Sequence, residues 1–465
     1  MATEFSRRSF LKMAAVTGAA LAADGCRNEQ TRLIPYLVPD NNVIPGVPAF
    51  YRTLCNECGA GCGVVARVRE GRVTKLEGNP SNPINAGALC ARGQASLQGL
   101  YNPDRLTGPH RRESNGKLAP VSWPDAFKIL GEQCKKSAAA GADRIAIIAR
   151  PHGPAIHSIS SEFIKAFNSK RLSYFEPLSE TAALKAAKSC FGSTELPSYR
   201  IDRAQVLISF GAPFLETWHS PLELSRQYAD FRTPKKPAGD QTIGLAYYVG
   251  PRMNLSAAKT DRFVMCPPGA ESAVALAVLY WIAEQGRASH AADLDALKAY
   301  VADFSPDAVA KRTGVDAKVI KQMATAFGRG PSAVALAGTE DPVTHAAAFI
   351  MNAVTGNAGK TQILPQPEAG TNREPRPGGR KTIAPLLAAM RSGAIDMLII
   401  ADSNPAFALP SHLEFGEAVK RVPLVIWAGS VPDESADFAH LLLTIDHPLE
   451  EWSDSAPRPG VHVLG

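Results

Sequence analysis

The stretch Leu54–Gln94 reads LCNECGAGCGVVARVREGRVTKLEGNPSNPINAGALCARGQ and holds Cys55, Cys58, Cys62 and Cys90. Two residues separate the first pair, three the next and twenty-seven the last. Half of the chain's eight cysteines therefore fall within one window of 36 residues. Soft thiolates gathered so closely point to an iron–sulfur cluster or a structural zinc. Zinc knuckles usually offer two close pairs, whereas three ligands in one loop and a fourth returning from afar suit a [4Fe–4S] cubane. Gly59, Gly61 and Gly63 let the backbone wrap tightly and bring N–H groups towards sulfide. Val64–Glu70 alternates in polarity, Glu70-Gly71 makes a turn, and Val73 and Leu76 continue, so a β-hairpin is expected to carry the chain back towards Cys90. Zinc, a pair of disulfides (Cys55 with Cys58, Cys62 with Cys90) or an empty site are the alternatives. Cys134, Cys190 and Cys266 read as buried single thiols.

The chain's 465 residues call for two or three domains. Its 45% hydrophobic and 20% charged content is that of a globular protein. A net charge of +6, with Arg7, Arg8 and Lys12 in the leader and no basic helix or aromatic platform, gives no reason to expect nucleic acid. Ser6–Lys12, with its twin arginines, precedes an apolar run of 11 residues, Met13–Ala23, too short to span a bilayer. This resembles a twin-arginine export signal, a route that carries folded proteins with their clusters already inserted. Residues 1–26 are read as that signal, with Cys26 a candidate lipid anchor in a partial lipobox. Residues 27–50 are read as an extended arm, with Ile34, Tyr36, Leu37, Val38 and Val43 facing its own or a partner's surface.

From Ser122 onwards, short apolar strands alternate with helices: strands around IAIIA, VLISF, LAYYVG, AVALAG, MLIIA and LVIWAG, helices between them. That beat predicts a largely parallel sheet with helices on both faces. Residues 216–229 read as helix, 256–259 as loop, and 366–380 as a long irregular loop that could face a partner. Val354–Thr361 is the nearest approach to a phosphate-binding loop. It is too short and follows a helix, so it reads as a helix-ending turn.

The cysteine spacing, together with Val73, Glu77–Pro80, Pro83, Asn85, Gly87, Leu89 and Gly93, resembles the iron–sulfur domain of the molybdopterin oxidoreductase family. Asp402–Pro405 and Pro432–Leu441 resemble turns of that family's α/β region. The resemblance implies an α/β fold: a small N-terminal iron–sulfur β domain at 51–108, then Rossmann-like parallel-sheet domains over 109–465, as two interleaved lobes. It also implies that Cys55, Cys58, Cys62 and Cys90 bind one [4Fe–4S] cluster. Arg92 stands where catalytic members usually have lysine. Gly211-Ala212-Pro213-Phe214 replaces a Gly-x-Asn-Pro turn, and no convincing molybdenum ligand is present among Glu176, Ser179 and Thr181. The chain reaches Gly465 without the further domain that completes pterin binding, so bound molybdopterin is not expected. Phe210–Pro221, Glu450–Gly460 and the arm from Arg32 resemble the molybdopterin-oxidoreductase-like half of the large iron–sulfur subunit of alternative complex III. The function so implied is a non-catalytic or electron-transfer subunit of a quinol-oxidising respiratory complex on the periplasmic side of the inner membrane. Its partners would be a ferredoxin-like multi-cluster iron–sulfur subunit, an integral membrane quinol-binding subunit and cytochrome c subunits. A catalytic fragment of a molybdopterin-dependent oxidoreductase and a cofactor-free structural subunit are the alternatives. His110, His152, His219 and His345 read as surface or hydrogen-bonding histidines.

Overall fold

The computed structural model describes residues 43–151, 153–178, 180–234, 243–330, 332–365, 380–458 and 461–465. The export signal, Cys26, most of the arm, His152, Ser179 and nearly all of the 366–380 loop lie outside the described residues. By contacts the described chain divides into two units, 43–49 with 69–72, and 50–68 with 73–465. In the first, Val47 N–H donates to Ile44 O at 3.0 Å and Gly46 N–H to Glu70 Oε1 at 3.2 Å.

The first sheet in chain order has three strands, Ala49–Leu54, Gly63–Arg69 and Arg72–Gly78, in that order. The last two strands are the expected hairpin. Its turn residues Glu70 and Gly71 have φ of 52° and 77°, the left-handed pair that matches strand twist. Val64, Ala66 and Leu76 form a small core beneath it.

Two larger sheets follow. One has seven strands in the order Leu118–Pro120, His110–Arg112, Leu441–Thr444, Leu424–Gly429, Met397–Ala401, Ile145–Ala149 and Arg171–Tyr174. The other has four: Arg262–Met265, Leu245–Gly250, Val206–Phe210 and Ala333–Ala337. Pairing is parallel throughout the four-stranded sheet, and antiparallel only at the His110 edge of the larger one. IAIIA, VLISF and AVALA are buried at every position because helices cover both faces, which explains why these runs do not alternate. Helix Glu271–Glu284 is apolar nearly all round and packs within the largest core cluster.

Three local readings are corrected. The helix expected from residue 216 begins at Pro221, because His219 has a φ of 50° and proline starts a helix more readily than it continues one. Residues 255–258 form a helical turn rather than a loop, since Asn254 Oδ1 caps it by accepting from Ala257 N–H at 2.8 Å. Cys134 and Cys266 are buried, but Cys190 is only half-buried. Val354–Thr361 does end a helix. There Asn357 Oδ1 accepts from Ala333 N–H at 2.9 Å and Thr361 Oγ1 donates to Ala333 O at 2.6 Å, binding the turn to the edge strand Ala333–Ala337.

Among the parallel strands of each large sheet the chain reverses its direction of travel once, between Val206–Phe210 and Ala333–Ala337 and between Ile145–Ala149 and Met397–Ala401. Crevices at such reversals are the usual ligand positions of open α/β sheets. At the first, Ala212 and Phe214 are fully buried, and Phe214 packs on Tyr228 with ring centres 5.3 Å apart. A Cβ on Gly338 would come within 2.4 Å of Ala212 Cα, so the two loops lie backbone against backbone. At the second, Arg150 and Asp402 pair across the reversal at 3.4 Å. Gly338→Ala is expected to destabilise the fold by about 2 kcal/mol or more, since neither backbone can move away from a buried clash. Chemical unfolding of the variant measures it.

Candidate metal centre

The cysteine loop is drawn closed by Cys55 N–H donating to Cys62 O at 2.9 Å. Gly61 takes a φ of 65°, and a Cβ there would meet Pro457 Cγ at 2.8 Å and Ser455 Oγ at 2.9 Å. The loop therefore needs glycine both for its turn and for the close cover of strand Asp454–Arg458. Cys90 occupies the N-cap of helix Ala91–Leu100 and its side chain makes no capping bond. A thiolate there faces the positive end of the helix.

Two buried asparagines tie the Cys55–Cys62 loop to the approach to Cys90. Asn85 Oδ1 accepts from Gly63 N–H at 3.0 Å, and its Nδ2 donates to Gly63 O at 2.8 Å and to Ala88 O at 2.6 Å. Asn82 Nδ2 donates to Gly61 O at 3.3 Å, while its Oδ1 accepts from Ile84 N–H at 2.8 Å. Asn85 belonged to the motif read from sequence, but Asn82 did not. Asn-Pro-Ile-Asn is a turn signal, and its Asx geometry was the available clue.

All four cysteines are free thiols, so neither of the alternative disulfides forms. Burial, then the neighbouring charges of Cys58 and Cys90, push the Cys55 thiol up to about 11. Burial, then Cys58, Cys55 and Cys90, push Cys62 up to about 12, with Arg92 acting in the opposite sense. Cys55 and Cys62 thus each feel Cys58 and Cys90, and their thiolates would be stable here only beside a positively charged core. Among the described residues no three His, Cys, Asp or Glu side chains converge tightly enough to hold a single metal ion. Cubane ligands bind four separate irons and need not converge in that way. The donor set therefore fits a [4Fe–4S] cluster better than zinc.

A cavity of about 240 Å³ opens beside Cys58, walled by Arg92, Glu176, Tyr199, His219 and Glu223 among others. His219 Nδ1 and Glu180 Oε1 lie 2.8 Å apart, and Arg458 pairs with Glu223. The Glu176 carboxyl is pushed up, first by burial, against the opposing pull of Arg150 and Arg92. Of the candidate histidines, His219 lines this cavity. His345 is buried with Nε2 2.8 Å from Thr339 O, and His110 Nδ1 sits 2.8 Å from Gly108 O. Thr181 begins a helix. Ser455, Pro457 and Arg458, which cover the cysteine loop and the cavity, are 365 or more positions after Cys90 and carry no motif that sequence reading assigned to the site.

Residues 48–102 match the molybdopterin oxidoreductase Fe4S4 domain, residues 105–450 match molybdopterin oxidoreductase, and residues 4–23 match a TAT (twin-arginine translocation) pathway signal sequence. The molybdopterin-binding-like subunit of menaquinone reductase from Nitratidesulfovibrio vulgaris is 28% identical over 430 residues, 90% of this chain and 61% of that protein. The periplasmic nitrate reductase of Desulfovibrio desulfuricans is 35% identical over 133 residues, 28% of this chain and 16% of that one. Acetylene hydratase from Pelobacter acetylenicus shares the fold, with a TM-score of 0.74 at 15% identity, over 88% of this chain and 65% of its own. The chain thus spans less than two thirds of the menaquinone reductase subunit's length.

Proposed function

Because the chain belongs to the molybdopterin oxidoreductase family, we propose that it is an exported iron–sulfur subunit of a quinone-linked, membrane-associated respiratory complex, without a molybdenum site of its own. The carrying observation is that Cys55 N–H bonds Cys62 O at 2.9 Å and Cys55 Sγ lies against Gly93, on the helix whose N-cap is Cys90. These four residues would hold the cluster, which supplies one-electron transfer when bound. The chain's own part is to shield it: Ala60, Cys62 and Ile84 are buried, and strand Asp454–Arg458 lies over Gly61.

Two features weigh towards a subunit without molybdenum: Gly338 meets Ala212 backbone to backbone at one reversal, and Arg150 pairs with Asp402 at the other. The signal at 4–23 supports a periplasmic position. No helix among the described residues is long and apolar enough to cross a membrane, so attachment would come from a quinone-binding membrane subunit, with Cys26 a candidate lipid anchor. A ferredoxin-like multi-cluster subunit and cytochrome c subunits complete the proposed complex. The relative's name supports the quinone. Its reductase direction runs opposite to the quinol oxidation read from sequence, so what both readings share is electron exchange with a quinone pool. Elemental analysis of anaerobically purified protein tests the assignment. About four irons and four acid-labile sulfides per chain are expected, with molybdenum at background. Stoichiometric molybdenum would overturn the reading, and absence of iron from folded protein would leave a structural subunit.

A further inference from the structure

The Cys55–Gly59 loop also floors a second, smaller cleft of about 100 Å³, whose walls include Asn56, Arg150, Ile156 and Trp452. Trp452 is 83% exposed, more than any other large apolar side chain among the described residues. Ile156 is 49% exposed, and Ile159, one turn further along helix Pro154–Ala166, is 63% exposed. The two walls are joined, for Ala155 N–H donates to Asp454 Oδ2 at 3.0 Å. An apolar group of this kind, on firmly held backbone, has the composition of an interface centre rather than of ordinary surface.

Its rim is acidic. Glu451 and Asp454 line the cleft, and the Glu451 carboxyl is pushed up, first by burial and then by Asp446, Asp402 and Glu450. Arg150 answers Asp402 and Arg105 answers Glu450 at 2.6 Å. Among the described residues no basic side chain pairs with Asp446 or Glu451. The patch is therefore negative on a chain whose formal charge is +6. A symmetric second copy would set these carboxylates against themselves. An anionic membrane surface would repel them. A basic partner is attracted by them.

We propose that the Trp452–Ile156–Ile159 surface docks an electron-carrier protein whose exposed redox centre lies within a basic rim. This inference rests on the cluster reading above. A centre docked there would face the outer side of the loop that carries Cys55 and Cys58. One electron would pass between the carrier's metal and the cysteine-bound centre, one oxidised as the other is reduced, with no atom or proton changing place. Trp452 supplies the anchor, and Glu451 and Asp446 steer the approach.

The test is calorimetric titration of the full purified chain with a lysine-rimmed monohaem cytochrome c as probe, at low and at high salt. Binding is expected to weaken with salt, and to weaken at least about tenfold in Trp452→Ala and in the double variant Glu451→Lys with Asp446→Lys. Met265→Ala, at a side chain 70% exposed on another sheet, is expected to bind as the parent does. All four substitutions are of exposed residues, and unchanged thermal unfolding would confirm intact folding. Equal binding by parent and variants overturns the proposal. So does preference for an acidic ferredoxin, a dimer lost in Trp452→Ala, or Trp452-dependent binding to anionic lipid vesicles. Heat of binding is read whether or not iron is present, so this result and the iron analysis can fail separately.

Discussion

Serine at Cys58 removes the iron from a chain that still folds. Cys58 is half-buried and lies between the two cavities, apart from the apolar cores, so its thiol is not needed for packing. An alcohol is a poor ligand for soft iron at neutral pH, and a cubane that loses a corner ligand is open to solvent and oxidant. Iron is expected to fall from about four to below about one per chain, with the dithionite-reduced electron paramagnetic resonance signal lost and the thermal midpoint of the α/β region unchanged. Cys134→Ser is the control. Cys134 is buried on helix Trp123–Ala140, and the change should cost some stability while leaving iron untouched. If both variants keep their iron, the four cysteines do not form the site. If Cys58→Ser unfolds the chain, the loop has a structural role that its exposure does not suggest.

Asn85→Ala is expected to have the second large effect, and it acts on the loop rather than on a ligand. Asn85 is fully buried and makes three hydrogen bonds to the backbone of Gly63 and Ala88. Alanine leaves the Gly63 N–H and the Ala88 carbonyl without these partners. The Gly63 carbonyl keeps Asn79 N–H at 2.9 Å. The buried Gly63 N–H left unpaired costs about 1–3 kcal/mol, while the carbonyl of the exposed Ala88 can turn to water at a smaller loss. The loss should appear as early unfolding of the small domain in denaturant and as faster iron release to a chelator. Asn85→Asp separates the two halves of the effect. It retains an acceptor for Gly63 N–H but loses both donated bonds, so an intermediate loss is expected. Wild-type iron retention in Asn85→Ala would mean that the cluster alone holds the loop.

Local pattern determined a good deal of this protein. The uneven cysteine spacing marked the candidate ligand set, because three thiols within eight residues cannot avoid one another. Polarity alternation and Glu70-Gly71 marked the hairpin, and continuous apolar runs such as AVALA marked strands covered on both faces. These signals are local, since a turn or a strand face is specified by its own residues. The twin arginines were equally legible, matching the signal at 4–23.

Tertiary structure decided what surrounds the cysteines. Strand Asp454–Arg458 covers Gly61 from far along the chain, and Trp452 stands beside Cys55 and Cys58 only because Asp454 holds helix Pro154–Ala166. At one reversal Gly338 meets Ala212 across more than 120 residues, and at the other Arg150 meets Asp402. No periodicity or motif encodes such meetings. They arise when two parallel sheets, each assembled from distant segments, fix where their loops end. The sequence alone could name the candidate ligands, whereas only the fold could show what walls they share and which surface is left open.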